Sequence, residues 1–196
     1  MMDHQYFDVS QLPHVEDEIF VDCGVCDGKT SQDFIKWSNR NFKYIYMFEP
    51  NKNVHKGIAE RFSGENNWSL IPCGVWDSKT QLHFSVDPAN AGSSFCTESF
   101  GKSVGEEIVD VVDMDSALKD VPVTFLKMDI EGAEMKALDG ARGIITKNKP
   151  KVAISIYHKP EDVLDIPRVL LEYNPSYKFY IRHYSLLYAE TVLYAI

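Results

Sequence analysis

The residues of this chain best suited to chemistry stand where apolar runs stop. Phe20-Val-Asp22 leads into Cys23, Gly24, Cys26, Asp27 and Gly28, an acidic turn with two glycines four apart. Tyr44-Ile-Tyr-Met-Phe48 leads into Glu49-Pro50, and the apolar stretch Val121–Met128 leads into Asp129, Glu131 and Glu134. Val152-Ala-Ile-Ser-Ile156 leads into Tyr157 and His158. Carboxylates and an imidazole at the ends of buried runs can accept hydroxyl hydrogen bonds, take up a proton or face a cation.

A strand, a tight glycine turn and a helix in that order form the first half of a nucleotide-binding βα unit. Such turns usually offer a helix N-terminus to a pyrophosphate. Here Asp22 and Asp27 would repel that dianion in a partly desolvated pocket. A cationic ligand has the opposite preference, and S-adenosylmethionine offers a sulfonium, an ammonium and no phosphate. Glu49 follows the second strand, where an acidic residue in βαβ sites reaches ribose hydroxyls. Gly74-Val75 ends the third strand, on the rim where an adenine ring would lie. Asp129, Glu131 and Glu134 open a helix, so the dipole accounts for Glu131 and Glu134. The dipole explains Asp129, placed where the strand runs out, less well, and this junction should face the same crevice. His158 reaches the same rim and suits a general base, with His183 a weaker competitor. Cys23-x-x-Cys26 lacks the further ligands that zinc requires, and no metal-ligand set is legible. Both cysteines read as small residues in a tight loop.

The elements that must place these groups alternate. Strands are predicted over 18–22, 44–48, 69–73, 81–86, 108–112, 121–128 and 152–156. Helices are predicted over 31–39, 53–62, 115–119, 133–138 and 161–173, with Gly140 stopping the fourth and Pro167 inside the last. Two strands without a helix between them, 177–182 and 191–196, close the chain. This pattern predicts an α/β fold whose parallel sheet carries an antiparallel strand at its far end. Residues 1–16 read as an N-terminal arm and residues 17–196 as a single domain. Pro88–Gly105, rich in small polar residues, reads as a mobile surface loop.

At 196 residues the chain is long enough for one well-buried domain. Its net charge of −9 argues against a nucleic-acid partner. No apolar run is long enough to span a bilayer, and no secretory leader is visible. Four irregularly spaced cysteines point to reduced thiols and a cytoplasmic location.

Taken together, Phe20-Val-Asp-Cys-Gly-Val-Cys-Asp-Gly28, Phe48-Glu-Pro50, Phe125-Leu-Lys-Met-Asp-Ile-Glu-Gly-Ala-Glu134 and Glu190-Thr-Val-Leu-Tyr194 resemble the FkbM-type S-adenosylmethionine-dependent methyltransferases. The similarity runs from about residue 17 to the C-terminus. It implies a class I methyltransferase, Rossmann-like three-layer sandwich: a seven-stranded, mostly parallel sheet of order 3-2-1-4-5-7-6 with its last strand antiparallel. It also implies O-methylation of a hydroxyl on a sugar or small metabolite, hence a small-molecule or glycan acceptor. By the same resemblance Asp22, Gly24 and Gly28 line the methionine end, Glu49 and Pro50 the ribose, and Asp129 the floor near the transferred methyl. Two departures stand out: Cys26 replaces the middle glycine of many such turns, and little sequence precedes the first strand to form a substrate-covering cap. Catalysis would rest on Asp129, His158 and Glu131. Two alternatives stand beside this reading. One is a non-catalytic cofactor-binding or interaction module on the same fold. The other is an NAD-dependent oxidoreductase, which would need a Gly-x-Gly-x-x-Gly turn and tolerance of both aspartates. Homo-oligomer formation is left open.

Overall fold

The structure, a computed structural model, describes residues 5–86, 94–97 and 106–196. Its main sheet has seven strands in the order β10-β11-β9-β8-β1-β2-β3. These are β1 (Glu18–Cys23), β2 (Phe42–Phe48), β3 (Trp68–Ile71), β8 (Phe125–Met128), β9 (Lys151–Ser155), β10 (Phe179–His183) and β11 (Thr191–Ala195). β11 runs antiparallel to both of its neighbours, and the other neighbouring pairs run parallel. This is the order and direction of strands that the resemblance implies.

β1, β8 and β9 are buried along their whole length, as strands in the middle of a parallel sheet covered on both faces must be. Their side chains alternate between two cores. Val21, Cys23, Leu126 and Met128 enter one, under α3 (Met114–Ala117), α4 (Glu134–Asp139), α5 (Arg142–Asn148) and α6 (Asp162–Tyr173). Phe20 and Phe125 enter the other, under α1 (Lys29–Trp37) and α2 (Lys52–Arg61). The result is three layers. In the second core Phe20 stacks on Phe34 at a centroid distance of 4.2 Å, and Phe125 meets Phe20 edge-on at 5.2 Å. The arm joins this core, because Tyr6, Phe7, Val9 and Leu12 are all buried there.

A second sheet departs from expectation. β4 (Gly74–Val75), β5 (Thr80–Val86), β6 (Ser94–Thr97) and β7 (Glu106–Val112) form a four-stranded sheet in the order β4-β7-β5-β6. Gly74 and Val75 therefore do not end the third strand. Pro72 has no amide hydrogen for the ladder, and the Cys73 N–H turns back to the Ile71 carbonyl at 2.8 Å. The chain is released from β3, and Gly74-Val75 pairs with Val111-Val112 of the other sheet. Of the expected loop Pro88–Gly105, Ser94–Thr97 is a strand, and 88–93 and 98–105 lie outside the described residues.

Gly140 closes α4 as its C-cap, as expected, but without the left-handed backbone usual for a stop glycine. Its backbone keeps a right-handed conformation, and α5 follows at once. Glycine is required there by packing: a Cβ would lie 2.0 Å from the Trp76 carbonyl oxygen.

Candidate active site

Four strand ends converge at one edge of the main sheet. The chain leaves β1 towards β2 and β3 on one side, then crosses back to β8 and β9 on the other. The point where strand order reverses, between β1 and β8, is where open α/β sheets place ligands. The ladder continues past the strands there: Gly24 N–H donates to the Phe48 carbonyl (3.1 Å) and Asp129 N–H to the Cys23 carbonyl (3.1 Å).

That close approach explains Gly24. A Cβ would sit 1.9 Å from the Asp129 carbonyl oxygen, and φ is +80°. Only glycine satisfies both conditions. Gly28, at φ +84°, is the residue from which α1 starts, and a Cβ there would crowd Phe62 and Arg61. Cys26, at the place of the middle glycine, takes a left-handed conformation at φ 55°. The two cysteines point apart: Cys23 Sγ lies 3.6 Å from the Met114 sulfur in the core, and Cys26 is exposed. They are neither a zinc nor a redox pair.

Glu49 closes the turn from the second strand. One carboxylate oxygen accepts from Cys26 N–H at 2.9 Å and the other from Asn51 N–H at 2.8 Å. Its carboxyl is buried, and desolvation raises its pKa against the pull of those two amides. Pro50 follows, and its ring carbons lie 3.8 and 3.9 Å from where a Gly74 Cβ would be. Glu49, Pro50 and Gly74 thus share one wall, whereas Val75 is a core residue.

The acid at the end of β1 behaves differently from its sequence reading. Asp22 is fully buried; one oxygen accepts from the Ser31 hydroxyl at 2.7 Å and the other lies 3.0 Å from Lys127 Nζ. Lys127 stands opposite Asp22 in the parallel register of β1 and β8. Burial alone would push its ammonium pKa down, but Asp22 and Asp129 outweigh this and hold it up. The same ammonium donates to the Gly24 carbonyl at 2.7 Å and the Cys23 carbonyl at 3.2 Å. Asp22 is therefore neutralised inside the protein and offers no free charge to a ligand. Asp27 is exposed and lies 3.3 Å from Arg61. The electrostatic case against a phosphate ligand loses both of its aspartates, and the acidity facing the crevice comes from Glu49 and the Asp129 group.

That group gathers after β8 and β9. His158 Nδ1 lies 2.8 Å from Glu134 Oε1, and Nε2 lies 3.4 Å from Glu131 Oε2 and 3.6 Å from Asp129 Oδ1. Burial would strip the imidazole of its proton, but Glu131, Glu134 and Asp129 together push its pKa up to about 10. In this arrangement His158 carries a proton at neutral pH, the opposite of a free base. Asp129 accepts from two phenols, Tyr6 at 2.7 Å and Tyr157 at 3.3 Å, and both are held as neutral donors by burial and by the carboxylate itself. The Tyr6 ring also covers Lys127, whose Nζ lies 5.3 Å from the ring centroid. His183 is elsewhere, on β10, 2.8 Å from the Thr191 hydroxyl.

Three of these residues were not legible as site residues in the sequence. Lys127 had a usable signal, since a lysine inside an apolar strand must find a buried partner. Tyr6 and Tyr157 had none, because an aromatic in an arm or a loop has no periodic context. Among the described residues no helix is long and apolar enough to cross a membrane.

Comparison with known proteins agrees with this geometry. A methyltransferase FkbM from Methylobacillus flagellatus superposes with a TM-score of 0.81 at 28% identity; the match covers 99% of this chain and 47% of that one. The chain thus spans about half the length of that relative. Fibrillarin from Aeropyrum pernix, solved with S-adenosyl-L-methionine bound, gives a TM-score of 0.57 at 12% identity over 97% of this chain and 71% of its own. A precorrin-6y C5,15-methyltransferase from Geobacter metallireducens gives 0.57 at 11% identity, over 95% and 84%. The search of curated proteins returns no match. Residues 22–177 match the family described as the methyltransferase FkbM domain, a stretch that holds the glycine turn, Glu49 and the Asp129 group, and the chain belongs to that family.

Proposed function

We propose that the chain is an S-adenosylmethionine-dependent methyltransferase that transfers a methyl group to a hydroxyl of a sugar or small metabolite. The observation that carries this reading is the placement of Glu49. Its buried carboxylate bridges the glycine turn at the switch point of the sheet, the place of the ribose-binding acid in βαβ sites. A carboxylate has about four lone-pair positions and two are taken here, so capacity for a ribose diol remains. Membership of the FkbM family and the S-adenosyl-L-methionine held by the fibrillarin of like fold support the same choice.

S-adenosylmethionine would supply an electrophilic methyl group on a sulfonium. The chain's part is to hold and align. The turn from Gly24 to Gly28 borders the methionine end, Glu49 and Pro50 hold the ribose, and Gly74 borders the base. Asp129, oriented by Tyr6 and Tyr157, faces the acceptor hydroxyl and takes its proton. His158 and Glu131 keep the carboxylates around Asp129 in place and balance part of their charge.

Calorimetry with S-adenosylmethionine and, separately, with NAD tests the cofactor. Binding of the first, lost in Glu49→Ala with the fold retained, is expected. Binding of NAD alone, or of neither, overturns the reading. A panel of sugar and hydroxyl-metabolite acceptors with labelled methyl donor tests the reaction, and label transfer only to nitrogen, carbon or sulfur acceptors refutes O-methylation.

A further inference from the structure

We propose that Asp129, Glu134 and His158 form a binding site for a single divalent transition-metal ion. The first ground is geometric. Each of the three offers a ligand atom, and these atoms lie within 4.8 Å of one another, so that a small inward shift of the side chains brings them to about 2.0–2.2 Å from a common ion. Asp129 follows β8 directly, Glu134 is the first residue of α4, and His158 lies on the loop after β9, so neighbouring strands of the sheet hold them together.

The second ground is an unmet demand in a buried place. Glu134 is fully buried; its Oε1 accepts from Ile130 N–H at 3.0 Å, and its Oε2 has no hydrogen-bond partner. The His158 side chain, only 5% exposed, approaches Glu134 Oε1 through Nδ1 at 2.8 Å and leaves Oε2 unmet. Unpartnered buried polar atoms of this kind are rare and call for a missing partner.

Charge points the same way. Asp129, Glu131 and Glu134 all face one imidazole, and the ammonium of Lys127 is tied to Asp22 and to two turn carbonyls. A dication among these carboxylates would offset their charge. One imidazole with two carboxylates suits Mn2+, Fe2+, Co2+ or Zn2+ better than Ca2+ or Mg2+, which prefer oxygen alone. An ion there would polarise an acceptor hydroxyl beside Asp129. That role rests on the methyl-transfer reading; the binding itself does not.

The test is a titration of the wild-type chain with Mn2+ followed by electron paramagnetic resonance, with Zn2+ and Mg2+ as competitors. One Mn2+ per chain, displaced by Zn2+ and poorly by Mg2+, is expected. Glu134→Gln and His158→Gln should each weaken it at least tenfold. Asp129→Asn, at a partly exposed position, serves as a third variant should the buried ones fail to fold. Absence of Mn2+ uptake by the wild type, or uptake unchanged in the folded variants, overturns the site. Calorimetry with S-adenosylmethionine separates this claim from the previous one. Mn2+ bound without the cofactor leaves the metal site standing, and cofactor bound without Mn2+ removes the metal site alone.

Discussion

The Tyr6 hydroxyl donates to Asp129 Oδ2 at 2.7 Å, so the arm ahead of the first strand reaches the carboxylate at the end of β8. Tyr6 is buried and sits at φ 74°, a left-handed conformation rare for a non-glycine residue. Such a backbone persists only where its surroundings over-determine it. Phe7 provides that, packed edge-on against Phe20 and Phe125 at 6.1 and 5.8 Å. The arm thus ties the second core to the carboxylate at the end of β8.

Tyr6→Phe keeps the ring over Lys127 and removes only the donor. A hydrogen bond to a charged group contributes about 1.5–3 kcal/mol, so turnover is expected to fall roughly tenfold to a hundredfold if Asp129 takes the proton. Affinity for S-adenosylmethionine should stay unchanged. Steady-state kinetics beside calorimetry check the split, and a fall in cofactor affinity with kcat intact would remove Tyr6 from the reacting end.

The Asp22–Lys127 pair gives a prediction about folding. Both side chains are buried, so removing one leaves an uncompensated charge in the core. Lys127→Met is expected to cost about 3–5 kcal/mol, measured by urea denaturation. The double variant Asp22→Asn with Lys127→Met should recover most of that loss. A double variant no more stable than the single would show that the pair is not the source.

Much of this architecture was legible, and the reason is local. β1, β8 and β9 are short, fully buried apolar runs, each stopped by a polar residue, so both the strands and the carboxylates at their ends could be read together. The two strands at the end of the chain announced the antiparallel β11. The second sheet was hidden because the break at Pro72 looks like an ordinary strand end, and whether the next residues pair onward or cross to Val111 depends on tertiary contacts. Asp22 was misjudged for a similar reason. Its charge was read alone, while the neutralising Lys127 lies 105 positions away and meets it only through strand register. The gathering of His158 with Glu134 is likewise a product of neighbouring strand ends.

Gly24 gives a sharp contrast with another glycine. In Gly24→Ala the new methyl would meet the Asp129 carbonyl at 1.9 Å, a backbone atom that cannot swing away, and φ is +80°. Overpacking and left-handed strain together are expected to cost roughly 2–5 kcal/mol. The turn would part from the end of β8, so cofactor affinity should fall as well. In Gly57→Ala, inside α2, the methyl meets nothing within 4 Å, and a gain of about 0.5–1 kcal/mol is expected. Thermal denaturation of the two variants side by side checks the difference in sign.

Glu49 links the site to pH, and two effects of opposite sign follow. Burial raises its carboxyl pKa, with Asn51 N–H and Cys26 N–H partly offsetting that rise. A raised folded-state pKa means that the folded chain binds this proton more tightly than the unfolded chain. The Glu49 contribution to stability therefore falls as pH rises from the unfolded pKa through the folded one. Cofactor binding runs the other way, because only the ionised carboxylate accepts from both ribose hydroxyls. As pH falls, affinity for S-adenosylmethionine should begin to drop at a higher pH than an ordinary glutamate would produce. Calorimetry across a pH series, with Glu49→Gln as reference, measures it. The variant should bind weakly with this pH dependence gone. Parallel profiles for wild type and Glu49→Gln would show that another group titrates and that Glu49 does not hold the ribose.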